Sequence, residues 1–224
     1  MKNIIEKVDA LKSKFSFRQF ISGYPCRLYL KGQIILFENE TPEGVFIIES
    51  GKVRNYTINS DGNEQYISIH SKWEDIPIGF ALGIDEVSHY FYEAYTNCRV
   101  RIIPRQDFKS HLLSDAHLMY QMYISNIKQL DAMLGRVYAL EQPRASDKVA
   151  LTLIYLADRL GTRPYLKSES QEVYVTQDEI AKLLGMTRET VSNELHKLRV
   201  DKAISYSRNR YILHVERIKR HMMD

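Results

Sequence analysis

Val175-Thr176-Gln177-Asp178-Glu179-Ile180-Ala181-Lys182-Leu183-Leu184-Gly185-Met186-Thr187-Arg188-Glu189-Thr190-Val191-Ser192-Asn193-Glu194-Leu195-His196-Lys197-Leu198-Arg199 reads as two short helices joined by a tight turn. Thr176 is placed to cap the first helix, and Glu179, three residues on, completes a capping box. Ile180, Leu183 and Leu184 follow at helical spacing, with Ala181 small enough for a second helix to pass close. Gly185 supplies a turn residue that tolerates positive φ. Thr187 caps the next helix, whose buried stripe is Val191, Leu195 and Leu198. Arg188, Glu189, Ser192 and Asn193 are left on another face, close to the helix start. A helix-turn-helix presents its second helix to the DNA major groove in this way. An ordinary αα-hairpin with a polar outer face is the plainer alternative. The adjacent Arg and Glu in the first turn weigh against it, because these side chains match guanine and cytosine edges.

The residues around this stretch agree with that reading. Of the chain's 31 Lys and Arg and 28 Asp and Glu, 15 and 11 lie in 144–224, leaving 16 and 17 in 1–143. The positive excess therefore accompanies the helix pair. Ala203-Ile204-Ser205-Tyr206 and Tyr211-Ile212-Leu213-His214 read as two strands around the basic tip Ser207-Arg208-Asn209-Arg210, a β-wing, and Arg217, Lys219, Arg220 and His221 as a positive tail. Arg188 is expected to donate to guanine and Glu189 to accept from cytosine, with Ser192 and Asn193 reaching the next bases. Thr176, Gln177, Thr187, His196, Lys197, Arg199, Arg208 and Arg210 are the phosphate-contact candidates. Glu194, next to the buried stripe, is expected at the edge of the packing.

Upstream, Ala145–Leu160 reads as a helix closed by Gly161, and Gly161–Val173 as a loop with a short strand. Pro143 ends the longest helical pattern, Asp107–Glu141, in which apolar residues recur every three or four positions. About 25 helical residues would extend close to 38 Å. Met119, Tyr123, Asn126, Ile127, Leu130, Met133, Leu134 and Val137 are the candidate seam of a homodimer, with Asn126 helping to fix register. Two copies would read two half-sites about 34 Å apart in an inverted repeat.

The N-terminal half has a different pattern. After a helical lead-in over 1–22, short strands alternate with turns: Tyr29–Phe37 around Lys31-Gly32, Val45–Ile48, the turn Glu49–Lys52, Val53–Ile58, the hairpin turn Asn59–Asn63, Tyr66–His70, the aromatic-rich His89–Tyr95, and Val100–Pro104. This spacing suggests a double-sheet barrel or jelly roll. The expected fold is α+β: a double-stranded β-helix over 1–106, a dimerisation helix over 107–142 and a winged helix-turn-helix over 143–224.

The order Lys31-Gly32-Gln33, Val45-Phe46-Ile47-Ile48-Glu49-Ser50-Gly51-Lys52-Val53, Asp61-Gly62 and then Arg188-Glu189-Thr190-Val191-Ser192 resembles the Crp/Fnr family of bacterial transcription regulators. The resemblance runs from about Tyr24 to about Val215. It implies a cyclic-nucleotide-binding-type β-roll, a long dimerisation helix and a winged helix, with double-stranded DNA, a second copy and RNA polymerase as partners. Members that bind cyclic AMP carry a Gly-Glu for the ribose and an Arg-Ser for the phosphate. Here Phe80 follows Gly79, and Ser88-His89 lacks the Arg, so the resemblance implies an effector other than cyclic AMP. Some relatives carry Arg where Asn193 stands, which implies a different half-site.

Phe80, His89 and Phe91 are the candidate effector-pocket residues, within a region that also holds His70, Trp73, Tyr90, Tyr92 and Tyr95. Packing of aromatics in a core or dimer surface is the competing explanation for each. Haem ligation by His70 or His89 and redox sensing by Cys98 are weaker options. Cys26 and Cys98 are the only cysteines. They form no CxxC pair or Cys/His cluster, so no zinc or iron–sulfur site is expected, and no other cofactor or metal is identified. No catalytic triad, metal cluster or phosphate loop points to an enzyme. The absence of an apolar leader or a membrane-length run predicts a cytoplasmic protein with no membrane contact. Two further readings remain: a ligand-binding or redox-sensing roll with secondary DNA contact, and an effector-independent constitutive DNA binder.

Overall fold

A computed structural model describes residues 17–161 and 170–223. Of the helical lead-in, only 17–22 (α1) falls within them, and most of the loop expected after Gly161 lies outside them. The described chain folds as two compact units: residues up to 56 with 70–129, and 57–69 with 130–224.

Two four-stranded sheets form the roll. One has the order β1 (Cys26–Tyr29), β8 (Cys98–Ile103), β3 (Val45–Ser50), β6 (Asp75–Ile76). The other has β2 (Ile34–Leu36), β7 (Phe91–Ala94), β4 (Val53–Ile58), β5 (Glu64–His70). Their strands lie in the first unit except for the end of β4 and nearly all of β5. The four consecutive apolar residues that open β3 are explained by two cores. Phe46 and Ile48 point between the sheets, meeting Val100 and Ile102 of β8, Leu36, Val53 and Tyr92. Val45 and Ile47 point the other way, against Ile21, Phe80, Phe108 and Leu112. A strand buried on both faces reads as a continuous apolar run, not as an alternation. At the β3–β4 turn Gly51 adopts φ 89°. A Cβ there would lie 2.4 Å from the Asn97 carbonyl oxygen and 2.7 Å from the Cys98 sulfur, so glycine is required on steric as well as torsional grounds.

The long helix expected over Asp107–Glu141 is two helices, α2 (Arg105–Ser114) and α3 (Ala116–Leu140). Asp115 separates them with φ −122° and ψ 92°. Its carboxylate accepts from the backbone N–H groups of His117 and Leu118, at 3.0 and 2.9 Å. A short acidic side chain that can satisfy orphan helix N–H groups favours starting a helix over continuing one. Apolar periodicity is blind to that choice. On α3, Tyr120, Tyr123, Ile127, Leu130, Leu134 and Val137 are all exposed, at alternating spacings of three and four. Met119 and Met133 flank this ladder and are also exposed. Asn126 lies beside the ladder and not within it.

In the second unit, α4 (Ala145–Leu160) packs on α5 (Gln177–Leu184) and α6 (Arg188–Val200). A three-stranded antiparallel sheet follows in the order β10 (Ile204–Ser207), β11 (Arg210–His214), β9 (Ser170–Tyr174). The segment expected as a basic tail is helix α7 (Val215–Met223). Its spacing is the missed signal: Val215 and Ile218 are buried, while Arg217 and Arg220 face outward. The β4–β5 hairpin, 57–69, belongs to this unit. Arg136 of α3 donates to the carbonyl oxygens of Tyr66 and Leu183 at 2.6 and 2.9 Å, and to that of Ile67. Lys182 of α5 pairs with Glu64 at 3.0 Å.

Candidate nucleic-acid interface

The capping box forms as read. The Thr176 hydroxyl accepts from the Glu179 N–H at 3.1 Å, and the Glu179 carboxylate accepts from the Thr176 N–H at 2.7 Å. The same hydroxyl donates to that carboxylate at 2.8 Å. Both hydroxyl functions of Thr176, expected to reach phosphate, are thus committed inside the cap. Helix α5 ends at Gly185 with φ 64°. Thr187 caps α6, accepting from the Thr190 N–H at 3.1 Å.

Successive residues on α6 are rotated by about 100°, which sorts it into two faces. Val191, Leu195 and Leu198 are fully buried, Glu194 is nearly so, and α4 lies against the helix with Val149, Leu153 and Leu156 in its own core face. Glu194 is held by Lys197 at 2.7 Å, which lets a carboxylate sit at the margin of this core. On the opposite arc, Arg188, Glu189, Asn193, His196 and Arg199 are exposed and Ser192 half-exposed. Among the described residues, no hydrogen bond or ion pair engages the side chains of Arg188, Glu189, Ser192 or Asn193. A guanidinium, a carboxylate, a hydroxyl and an amide therefore stand together with their bonding capacity unspent.

The phosphate-contact candidates are less uniform. His196 and Arg199 contact each other at 3.1 Å, and the Arg199 guanidinium also lies 5.1 Å above the Tyr206 ring. Lys197 is tied to Glu194. Arg210 is paired with Glu172 of β9, and the Glu172 hydrogen bond holds its guanidinium above the ordinary arginine value. Gln177 opens α5 directly after the cap. Arg208 is exposed at the wing tip, with φ 53° and no partner among the described residues. The two-residue loop Arg208-Asn209 joins paired Ser207 and Arg210. A positive φ at its first position fits the right-handed twist of the strands.

In the first unit, Phe80, His89 and Phe91 are not brought together. Phe80 is part of the core around Ile21, Val45 and Phe108, with the Arg105 guanidinium 4.8 Å from its ring. His89 is exposed and contacts Asp85 at 3.1 Å. Phe91 stacks on Tyr56 at 5.2 Å and meets Phe37 edge-on. The roll also buries polar side chains: Asn55, His70, Glu74 and Glu93 are buried, with His70 3.5 Å from Glu74. Burial raises both the Asp75 carboxyl and the Tyr92 phenol. The Cys98 thiol is buried, donates to the carbonyls of Lys52 and Thr96, and is raised by that burial, the reverse of what a reactive thiolate needs. No group of three or more His, Cys, Asp or Glu side chains is arranged to hold a metal ion among the described residues, and none of their helices is long and apolar enough to cross a membrane.

Known proteins match both units. A family model described as a cyclic nucleotide-binding domain matches residues 26–115, and one described as a Crp-like helix-turn-helix domain matches 147–220. The nitrogen fixation regulation protein FixK of Azorhizobium caulinodans is 26% identical over 193 residues, 85% of this chain and 75% of that protein. The electron transport regulator A of Shewanella oneidensis is 28% identical over 189 residues, 83% of this chain and 73% of that one. The solved structure of FixK2 from Bradyrhizobium japonicum shares the fold with a TM-score of 0.69 at 23% identity, covering 90% of this chain and 97% of that one. The roll, the long helix and the winged helix-turn-helix, in that order and with both domain models in place, make this chain a member of the Crp/Fnr family of transcription regulators, with a DNA-binding helix-turn-helix and an effector-binding-type domain.

Proposed function

We propose that the protein is a homodimeric, sequence-specific regulator that binds an inverted-repeat operator. Arg188 and Glu189 read a guanine and a cytosine, and Ser192 and Asn193 extend the reading by one turn. The observation that carries this is the exposed arc of α6, where those four side chains converge with no internal partner. The ladder on α3 supports the two-fold: six apolar residues left exposed at heptad spacing are a coiled-coil seam awaiting its other half. Residues 107–142 then serve dimerisation and 143–224 reading.

The effector of the roll is not cyclic AMP. Where a ribose-holding carboxylate would be needed stands Phe80, with its ring in the core. Ser88, in the region of the phosphate-holding Arg-Ser, is buried with its hydroxyl donating to the Tyr90 carbonyl at 2.6 Å. Titration calorimetry with cyclic AMP is expected to give no saturable heat, and saturable binding would overturn this part of the reading.

Selection of bound duplexes from a random pool tests the whole. The wild type should enrich an inverted repeat with half-sites about 34 Å apart, and failure to enrich any would sink the proposal. Glu189→Ala should relax preference at one base pair per half-site by about 1–3 kcal/mol.

A further inference from the structure

The reading domain has a second basic feature that the operator contacts above do not use. A cleft of about 660 Å³ is lined by Arg144, Asp201, Lys202, Arg217, Arg220 and His221. Its residues come from the N-terminal boundary of α4, the end of α6, and α7. The carboxylates around it are already occupied. Asp147 takes the Arg144 guanidinium at 2.8 Å and His221 at 3.8 Å, and Asp201 takes His221 at 2.8 Å. Arg144 also donates to the last-turn carbonyls of α7, at His221 and Met222. One Arg217 N–H reaches the Lys202 carbonyl at 3.3 Å. Neither Lys202 nor Arg220 has a side-chain partner among the described residues. Glu216, the carboxylate near Arg220, is hydrogen-bonded to Lys219 at 2.8 Å. Lys202, Arg217 and Arg220 therefore leave the cleft mouth with an excess of positive over negative side chains.

The backbone at Lys202 strengthens the case. Helix α6 closes with the Ala203 N–H on the Leu198 carbonyl and the Lys202 N–H on the Arg199 carbonyl, at 2.9 and 3.0 Å. That is a Schellman motif, whose left-handed position is usually glycine. Here it is Lys202, at φ 57°. Among the described residues only Asn39, Trp73, Lys202 and Arg208 take positive φ without being glycine. Two of the four are basic residues of the reading domain, one at the wing tip and one at the end of α6. Strain of this kind persists where a side chain is needed for something other than folding.

Geometry names the ligand. This step rests on the reading that α6 enters the major groove by its N-terminal turns. Its 13 residues extend for about 20 Å, whereas the groove is about 12 Å wide and 8.5 Å deep. The C-terminal end of α6 then lies beyond the base edges, on the side of the groove where the sugar-phosphate backbone runs. We propose that the Lys202–Arg217–Arg220 cleft is a second phosphate-binding site of the reading domain, taking a phosphodiester strand beyond the C-terminal end of α6.

Lys202→Gly separates this role from a structural one, since it removes the charge and supplies the residue that the turn prefers. Thermal stability should hold or rise. Affinity for a duplex selected by the wild type should fall about three- to tenfold, equally for mismatched duplexes. The slope of log K against log salt should become shallower by about 0.9, the value of one phosphate contact. Arg217→Gln with Arg220→Gln should lower the slope further, with the base preference untouched. An unchanged slope in both variants would overturn the proposal. So would saturable binding of inorganic pyrophosphate by the DNA-free wild type that Lys202→Gly abolishes with DNA affinity intact, because the cleft would then take free phosphate. Failure of the reading itself has a different signature, a wild type that shows no base preference for any variant to keep.

Discussion

The reading domain and the roll both present polar groups that packing does not explain, but they hold them in opposite ways. In the reading domain Arg188, Glu189, Ser192 and Asn193 project from one arc of α6 with no internal partner. In the roll Asn55, His70, Glu74 and Glu93 are buried, and Arg54 joins Glu93 at 2.8 Å. An exposed unpaired group costs little until a ligand arrives and then offers its full bonding capacity. A buried group must be satisfied in the resting protein, since an unpaired one costs about 1–3 kcal/mol. The surface of α6 is thus free to gain partners, whereas the buried polar groups of the roll already hold theirs.

Phe80 gives the strongest test of that contrast. If its ring belongs to the core with Phe108 and Val45, Phe80→Ala should destabilise the first unit by about 3–5 kcal/mol. His89→Ala, at an exposed position, should change stability by less than about 0.5 kcal/mol. Denaturant unfolding followed by aromatic fluorescence measures both. Equal small effects would mean that Phe80 lines an open pocket, and the contrast between an exposed reading face and a filled roll would weaken.

The difference also explains what was legible from sequence. The helix-turn-helix is a local object. Thr176 and Glu179, Gly185, Thr187 and the stripe Val191–Leu195–Leu198 act over three to seven residues, so a linear reading recovers cap, turn and faces together. The strands β3 and β4 are legible for the same reason, being bounded by Gly51 and by the Asn59–Asn63 turn. The effector pocket is not local. Whether Phe80, His89 and Phe91 share a cavity depends on which sheet face and which layer each one meets, and neither is encoded nearby. The break at Asp115 and helix α7 were lost differently. Both are local, but the first is a polar capping signal inside an apolar period. The second is a three-residue apolar spacing hidden among five cationic or titratable side chains. Lys202 has no sequence signature at all, because its left-handed backbone is imposed by the Schellman closure of α6.

Thr176 offers the finest test, since it separates two roles of one hydroxyl. As a phosphate contact, its loss would lower DNA affinity about equally for every sequence, with the salt slope little changed because a neutral hydroxyl displaces no counterion. As a cap, its loss would destabilise α5 by about 1 kcal/mol, within a measured range of roughly 0.5–2 kcal/mol. The structure spends the hydroxyl twice inside the box, accepting from the Glu179 N–H and donating to the Glu179 carboxylate. Thr176→Ala should therefore lower thermal stability and leave the DNA affinity of the folded protein unchanged. Thr176→Asp, which keeps the cap acceptor and adds negative charge near the α5 N-terminus, should restore part of the stability, the rest being lost to repulsion from the facing Glu179 carboxylate. Near a phosphate strand, that same charge would repel the duplex. If Thr176→Asp recovers stability and binds DNA like wild type, the position is a cap alone. If it recovers stability and loses DNA, the start of α5 lies against the backbone after all, and the unspent groups of the reading domain extend beyond α6.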